Sequence, residues 1–182
     1  MDKAYYKACI EQEIYLPYRQ SKRRLNWLDK IWCRYVNPEL NAVYLVRRKQ
    51  YLEEKGKFSR ALSRLYHVKL MRRYGIHITP GTTIGKGLRI AHPTSIVVTQ
   101  CVIGENFTIY QNCTIGQKRW KSGMYPTIGN NVTMYAGSAI IGKVCVGDGV
   151  VVGANATLVK DAQANGIYIG TPARLHAVSD GG

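Results

Sequence analysis

The stretch "IGNNVTMYAGSAIIGKVCVGDGVVVGANATLVKD", residues 128–161, carries an aliphatic residue at every sixth position: Ile128, Met134, Ile140, Val146, Val152 and Leu158. Four positions after these come small or apolar side chains: Val132, Ser138, Val144, Val150 and Ala156. An α-helix turns about every 3.6 residues and cannot keep one face to this period. A coil of three short straight segments can, because each segment sends one aliphatic residue to the axis. The stretch therefore predicts a parallel β-helix of hexapeptide repeats.

The same period extends back along the chain. One register contains Ile78, Ile84, Ile90 and Ile96, and after a slip of one residue come Ile103, Ile109 and Ile115. Thr94 and Cys113 occupy the position four residues later, where an inward side chain is expected. Glycine directly follows Ile84, Ile103, Ile115, Ile128, Val146 and Val152. We expect these glycines to take the turn conformation between segments.

The period breaks once, between Ile115 and Ile128. These residues are 13 positions apart where the repeat needs six, so seven residues are extra. The sequence therefore predicts a loop at residues 117–127 that leaves the coil. A loop on a rigid scaffold often carries binding residues.

Residues 1–75 have helical periodicity, so we divide the chain into an N-terminal helical segment and a β-helix domain at residues 76–182. Asn37 and Pro38 suit the N-cap and the first position of a helix. That helix is expected to run to about Lys55, where Gly56 ends it.

Two further helices are predicted on either side of it. Ser21 is the expected N-cap of a helix that reaches about Val36, and Ser59 is the expected N-cap of "RALSRLYHVKLMRRY". Gly75 is the expected C-cap of the latter helix.

The overall composition is that of an ordinary globular protein, with 46% apolar and 20% charged residues among 182. No run of 18 apolar residues is present, and the N-terminus lacks the apolar core of a signal peptide. We therefore expect a cytoplasmic protein.

The five cysteines do not suggest a disulfide framework or a zinc site, because their number is odd and no Cys-x-x-Cys occurs. No metal site is expected. Cys101 and Cys113 fall at inward positions of the repeat and are expected to be buried free thiols.

The net charge of +15 is concentrated in the first part of the chain. Residues 1–75 contain 18 Lys and Arg against 7 Asp and Glu, whereas residues 76–182 contain 8 against 4. Nucleic acid, an anionic membrane surface or a phosphorylated substrate would each suit this excess, as would a simply solvated helix face. No nucleic-acid recognition motif accompanies the charge, so we expect no nucleic-acid partner.

His92 in "GLRIAHPTSIVV", residues 87–98, lies two residues after Ile90 and outside both inward positions of its repeat. It is therefore not a core residue. A side chain of this kind is either a spare surface histidine or a group that carries chemistry.

The segments "IGKGLRIAHPTSIVV", "IGENFTIYQNCTIG" and "IGTPARL", together with the stretch at residues 128–161, resemble the hexapeptide-repeat acyltransferases. The resemblance is closest to the serine acetyltransferases and the exopolysaccharide O-acetyltransferases and covers about Gly75 to Val178. It implies a mainly β fold, a left-handed parallel β-helix with an N-terminal α-helical segment. It also implies a homotrimer with active sites between neighbouring prisms, and acetyl-CoA as the acetyl donor.

The resemblance makes His92 the catalytic base, which takes the proton of an acceptor hydroxyl as it attacks the acetyl-CoA thioester. Three positions depart from the family. The aspartate that orients the base stands fifteen residues before it, where this chain has His77. His77 either orients His92, binds the acceptor or faces solvent. Tyr125 stands in place of the family's second histidine, and Met124 in place of the preceding arginine, whereas Gln111 matches.

The family's donor site also maps onto this sequence. The resemblance places the pantetheine arm along Ala136, Gly137 and Ala154, and the adenosine and phosphates near Val159, Lys160 and Arg174. The alternative is that small residues merely suit the coil and that the two cations are solvated.

Without the family's arginine and histidine, recognition of a serine carboxylate is doubtful. We therefore expect the acceptor to be a sugar hydroxyl, free or lipid-linked, in surface polysaccharide synthesis. Trp120 in the loop offers a flat apolar face for a sugar ring, beside Tyr125. The alternatives are a serine acetyltransferase and, from another class, a non-catalytic module whose basic, aromatic-rich helices lie on a membrane surface.

Overall fold

The computed structural model describes residues 1–19, 26–118 and 125–178. In these ranges the chain forms a parallel β-helix of short strands preceded by helices. The helical elements are α1 Lys3–Ile10, a π-helical turn Glu11–Tyr15, α2 Leu16–Arg19, α3 Trp27–Ile31, a π-helical turn Trp32–Val36, α4 Pro38–Glu53 and α5 Lys57–Tyr74. None of the helices in the described ranges is both long and apolar enough to cross a membrane.

The strands are mostly two residues long and follow one another around three faces. Face A contains β1 His77–Ile78, β4 Val97–Val98, β7 Thr114–Gly116, β10 Ala139–Ile141 and β13 Thr157–Leu158. Face B contains β2 Thr83–Ile84, β5 Val102–Ile103, β8 Thr127–Ile128 and β11 Cys145–Val146. Face C contains β3 Arg89–Ile90, β6 Thr108–Ile109, β9 Thr133–Met134, β12 Val151–Val152, β14 Gly166–Ile169 and the antiparallel β15 Arg174–Val178.

The second residue of each short strand points to the axis and is buried, as the six-residue period predicts. On face C, for example, Ile90 pairs with Ile109 and Ile109 with Met134, and all three are at most 3% exposed. The positions four residues later are buried as well, at Cys113, Val132, Ser138, Val144, Val150 and Ala156. Thr94 is an exception: it is exposed, so its predicted inward position is wrong.

The register differs from the sequence prediction at one coil. Ile96 is buried, but the residue that pairs with Ile78 on face A is Val98. The segment from Ile90 to Val98 therefore has eight residues instead of six, and the next, to Ile103, has five. The first segment has two residues more than the repeat needs and the second has one fewer, which together give the slip of one residue seen in the sequence.

The glycines after the inward residues have a different role from the one predicted. Gly85, Gly104, Gly129 and Gly147 do not have positive φ; the left-handed residues lie two positions later, for example Asn106. Each of the four glycines instead faces a neighbouring coil so closely that a Cβ atom would collide with it. A Cβ on Gly104 would lie 2.7 Å from the carbonyl carbon of Gly129.

The helix ends agree in part with the sequence. The Asn37 side chain accepts a hydrogen bond from Leu40 N, and Gly75 ends α5 at φ +63°, so both predicted caps are confirmed. The predicted cap at Ser59 is wrong, because α5 begins at Lys57 with Gly56 as its N-cap. The predicted cap at Ser21 lies outside the described residues.

A buried ion pair joins the helices to the first coil. Arg47 of α4 and Glu13 are both fully buried, and the guanidinium donates to both carboxylate oxygens at 2.6 and 2.8 Å. Arg47 also donates to the carbonyls of Ile84 and Gly85, while Glu13 accepts from the Gly87 and Leu88 amides. We name this network the Arg47–Glu13 lock.

Cys9, Cys33, Cys101 and Cys113 are buried free thiols, whereas Cys145 is exposed. Burial raises the pKa of Cys101 to about 12. The prediction for Cys101 and Cys113 is therefore confirmed.

Candidate active site

One edge of the prism collects most of the residues that the sequence singled out. The chain turns there from face C to face A, and we name this edge the C–A corner. On successive coils it carries His92, then Gln111, then Ala136 with Gly137, then Ala154. Neighbouring strands lie ~4.8 Å apart, so the column from His92 to Ala154 is about 14 Å long.

The coil with the two additional residues is the one that carries His92. Its backbone is left-handed at His92, with φ +51°, and again at Ser95, with φ +52°. The next residue is Pro93, which further restricts the backbone of the residue before it. A non-glycine residue held in this region is uncommon and points to a functional constraint. The wide turn leaves the His92 side chain 70% exposed.

Two side chains from elsewhere in the fold lie next to His92. The ring of Tyr110, on the next coil, has its centroid 6.3 Å from the imidazole and stacks on Tyr135 at 5.0 Å. The carboxylate of Glu39, at the start of α4, lies 3.9 Å from His92 Nδ1 and accepts a hydrogen bond from the His92 backbone amide at 3.3 Å. The imidazole thus has a carboxylate on its Nδ1 side.

Gln111 provides a polar group to the same corner. Its side-chain oxygen is shielded from solvent and has no hydrogen-bond partner among the described residues. An unmade hydrogen bond of this kind costs ~1–3 kcal/mol, which a bound donor group would remove. The Gln111 carbonyl accepts from the Gly137 amide at 3.0 Å, which ties this coil to the next.

Comparisons with known proteins give a consistent answer. The serine acetyltransferase of Helicobacter pylori (strain ATCC 700392 / 26695) is 39% identical over 102 residues, which cover 55% of this chain and 60% of that protein. The solved serine acetyltransferase from Brucella abortus strain S19 has a TM-score of 0.81 at 20% identity, covering 97% of this chain and 71% of that chain. A serine acetyltransferase solved in complex with CoA has a TM-score of 0.74 at 21% identity, covering 96% and 71%. No protein-family model matches the chain.

The chain is thus similar in sequence and in fold to the serine acetyltransferases, in agreement with the resemblance to the hexapeptide-repeat acyltransferases. It spans between 60% and 64% of the length of the curated relatives it matches. The predicted fold, a left-handed parallel β-helix with an N-terminal helical segment, is confirmed. The structural likeness covers 97% of the chain and so includes the helices, although the sequence resemblance was confined to the coils.

In this hexapeptide-repeat protein the residues matched to the donor site fall into two groups. Gly137 has φ +71°, and a Cβ there would lie 2.2 Å from the Asn155 side-chain oxygen, so the C–A corner requires glycine at this position. Ala136 and Ala154 flank it on the outer surface. The second group, Val159, Lys160 and Arg174, is exposed. Val159 and Lys160 follow β13 and lie away from that corner, whereas Arg174 begins β15 opposite Ile169, the last residue of β14, and so lies at the end of face C that meets the corner.

His77 lies on face A, and its ring packs against His67 of α5 with the centroids 4.9 Å apart. Within the described residues, the ring that His77 contacts is therefore that of His67 and not that of His92. Burial, followed by the charges of His77 and Lys49, lowers the pKa of His67. His67 Nδ1 is buried and has no hydrogen-bond partner in the described part of the chain.

The loop residues are described only at the loop's two ends. Tyr125 is half-buried, two residues before β8 on face B, and so lies on another edge of the prism than His92. Trp120 and Met124 lie outside the described residues. Across residues 1–19, 26–118 and 125–178, no group of three His, Cys, Asp or Glu side chains could hold a metal ion.

Sequence reasoning missed Glu39. It stands 53 residues before His92, and an acidic residue in the first turn of a helix is explained by the helix dipole alone. No spacing rule connects a helix start to a coil corner. Tyr110 was quoted in a motif but not recognised as a neighbour of His92.

Proposed function

We propose that this chain is an acetyl-CoA-dependent O-acetyltransferase and that His92 is its general base. The observation that carries the proposal is the exposed, left-handed His92 at the widened turn of the C–A corner. The similarity to the serine acetyltransferases supports the reaction type.

In the proposed reaction, His92 Nε2 takes the proton of an acceptor hydroxyl as that oxygen attacks the acetyl carbonyl carbon. The carbon–sulfur bond breaks, and the proton passes to the departing thiolate of CoA. The products are an acetyl ester and free CoA. General-base assistance of this kind is worth roughly 10²–10⁴ in rate.

The column of small residues below His92 suits the pantetheine arm, because Ala136, Gly137 and Ala154 lie on two successive coils about 4.8 Å apart and leave the backbone there accessible. A structural neighbour solved in complex with CoA supports CoA as the ligand. Lys160 and Arg174 carry the charge that the CoA phosphates need.

We further propose a homotrimer, as the family resemblance implies, in which a neighbouring prism completes the cleft beside the C–A corner. The loop with Trp120 and Tyr125 then reaches an acceptor bound in that cleft. His77 is proposed only as a more distant contributor to acceptor binding, since it packs on His67.

Serine is the acceptor that the relatives support, since those matched are named serine acetyltransferases. A sugar hydroxyl is the second candidate, and two observations favour it. Tyr125 replaces the histidine that grips a serine carboxylate in the family, and the stacked rings of Tyr110 and Tyr135 beside His92 offer apolar surface. We also propose a cytoplasmic location and a contact of the basic helices with a membrane surface, as the charge of residues 1–75 suggests.

The test is an acetyl-transfer assay with acetyl-CoA and either L-serine or a panel of saccharides, in which release of free thiol is followed. Thiol release that depends on one acceptor and is lost in His92→Ala supports the function and identifies the acceptor. Equal release by the wild type and by His92→Ala would contradict the role of His92.

A further inference from the structure

The carboxylate beside His92 comes from the helical segment. Glu39 is the second residue of α4, after the Asn37 cap and Pro38. Its Oε1 accepts a hydrogen bond from the His92 backbone amide at 3.3 Å and lies 3.9 Å from His92 Nδ1. The same carboxylate oxygen therefore faces two nitrogens of one residue.

Two features hold this carboxylate in place. The first turn of a helix favours a negative charge, because the free amides and the helix dipole are positive there. The helix itself is fixed to the coil by the Arg47–Glu13 lock, two turns further along α4. Glu39 is thus presented to the widened turn by a helix that hydrogen-bonds to the coil through Arg47.

Two other carboxylates of the coil, Glu105 and Asp148, have partners of their own. Glu105 lies 3.9 Å from Lys86 Nζ, after Gly104 on face B, and Asp148 accepts from the Asn130 amide at 2.7 Å. His77, at the position of the family's orienting aspartate, packs on His67. Among the described residues, Glu39 is the carboxylate in contact with His92.

We propose that Glu39 is a positioning residue for His92: its carboxylate accepts a hydrogen bond from Nδ1–H of the neutral imidazole and leaves Nε2 free to take the proton of the acceptor hydroxyl. The nitrogen that carries the ring proton is set by the hydrogen bond made on the other side of the ring. A separation of 3.9 Å is long for a hydrogen bond, and such contacts tighten when substrate binds. This inference rests on the function proposed above.

The arrangement differs from the one implied by the family resemblance. A carboxylate from the helical segment takes the task that the resemblance assigns to a residue fifteen positions before the base. The helices of this chain then contribute directly to the site rather than only supporting the coil.

The first test is independent of activity. The ring nitrogens of His92 are observed by ¹⁵N NMR in the full chain, in the wild type, in Glu39→Gln and in Glu53→Gln. Glu53→Gln is the matched control, because Glu53 lies on the same helix but pairs with Lys49. We expect the Nδ1-protonated form to dominate in the wild type and in the control, and to lose its preference in Glu39→Gln. Identical ring signals in all three proteins would overturn the proposal.

The second test is kinetic. Glu39→Gln should lower kcat for acetyl transfer by roughly 10–100-fold with an unchanged KM for acetyl-CoA, and Glu39→Asp should recover part of the loss. In a His92→Ala background the same substitution should have no further effect. The proposal fails if Glu39→Gln leaves kcat unchanged. It also fails if Glu39→Gln lowers kcat by the same factor in the His92→Ala variant as in the wild type, because Glu39 then does not act through His92. If the wild type acetylates no acceptor, the proposed function fails. The NMR result would still show whether the Glu39 carboxylate sets the protonated nitrogen of the His92 ring.

Discussion

Helix α4 meets the β-helix at two places eight residues apart, and at each place a carboxylate faces a nitrogen-bearing side chain. At Arg47 and Glu13 both side chains are fully buried, and the guanidinium and carboxylate are joined by two short hydrogen bonds. At Glu39 and His92 the side chains are 44% and 70% exposed, and the nearest approach to the ring is 3.9 Å.

The comparison shows how burial decides what a charged contact does. A buried ion pair is costly to desolvate and persists only where further hydrogen bonds satisfy both groups, as the backbone of residues 84–88 does here. The open contact is weakened by water, yet it leaves a ring nitrogen accessible to a substrate. The buried Arg47–Glu13 contact therefore holds α4 on the coil. The exposed Glu39–His92 contact leaves the His92 ring open to a substrate.

The largest effect is expected from breaking the buried contact. Arg47→Met leaves the Glu13 carboxylate buried without its partner and should lower the free energy of unfolding by roughly 3–5 kcal/mol. Urea denaturation measures this loss. The double variant Arg47→Met with Glu13→Gln should recover much of it, because the amide oxygen still accepts from Gly87 and Leu88. A single variant as stable as the wild type would show that the lock contributes nothing.

Changing the exposed residue His92 should affect activity and leave stability unchanged. His92→Ala removes an exposed side chain outside the core, so the midpoint of unfolding should be unchanged. Acetyl transfer should fall by about 10²-fold or more, equivalent to ~2.7 kcal/mol in the barrier. Activity and unfolding are measured on the same preparation. A destabilised variant would mean that His92 is structural.

Both contacts depend on the close stacking of the coils. A Cβ on Gly104 would lie 2.5 Å from the Asn130 side-chain oxygen and 2.7 Å from Gly129, so Gly104→Ala should cost ~1–3 kcal/mol of stability. Gly116→Ala is the matched control, because its nearest neighbour would be at an ordinary 3.4 Å. Equal unfolding midpoints for the two variants would contradict the role assigned to Gly104.

A third contact between helix and coil, His67 with His77, is intermediate in burial and should give the smallest effect. The lowered pKa of His67 means that the unfolded chain binds more protons than the folded protein once the pH falls below the ordinary value of 6.5. Stability should therefore decrease as the pH falls through that value. In His67→Gln the thermal midpoint should depend less on pH, with both proteins compared first at pH 8. If the thermal midpoints of the two proteins depend on pH in the same way, His67 is not the source of this pH dependence.

Much of the fold could be read from the sequence, because a hexapeptide period is a local pattern that admits few structures. The strands on all three faces and the inward residues from Val132 to Ala156 follow from it. The caps at Asn37 and Gly75 follow instead from the residue preferences of helix ends. The same period placed His92 outside the core, and Gln111, Ala136 and Ala154 fall on its corner because three repeats return the chain to the same edge.

The coil, its repeat and the exposed histidine could therefore be predicted from the amino-acid sequence. The packed fold was needed to see that Val98 rather than Ile96 pairs with Ile78, that the glycines serve close packing, and that Glu39 stands beside His92. The difference lies in the range of the interactions. Periodicity reports which side of the chain is buried next to its neighbours in sequence, whereas the helix that carries Glu39 is placed by a buried ion pair between residues 34 positions apart.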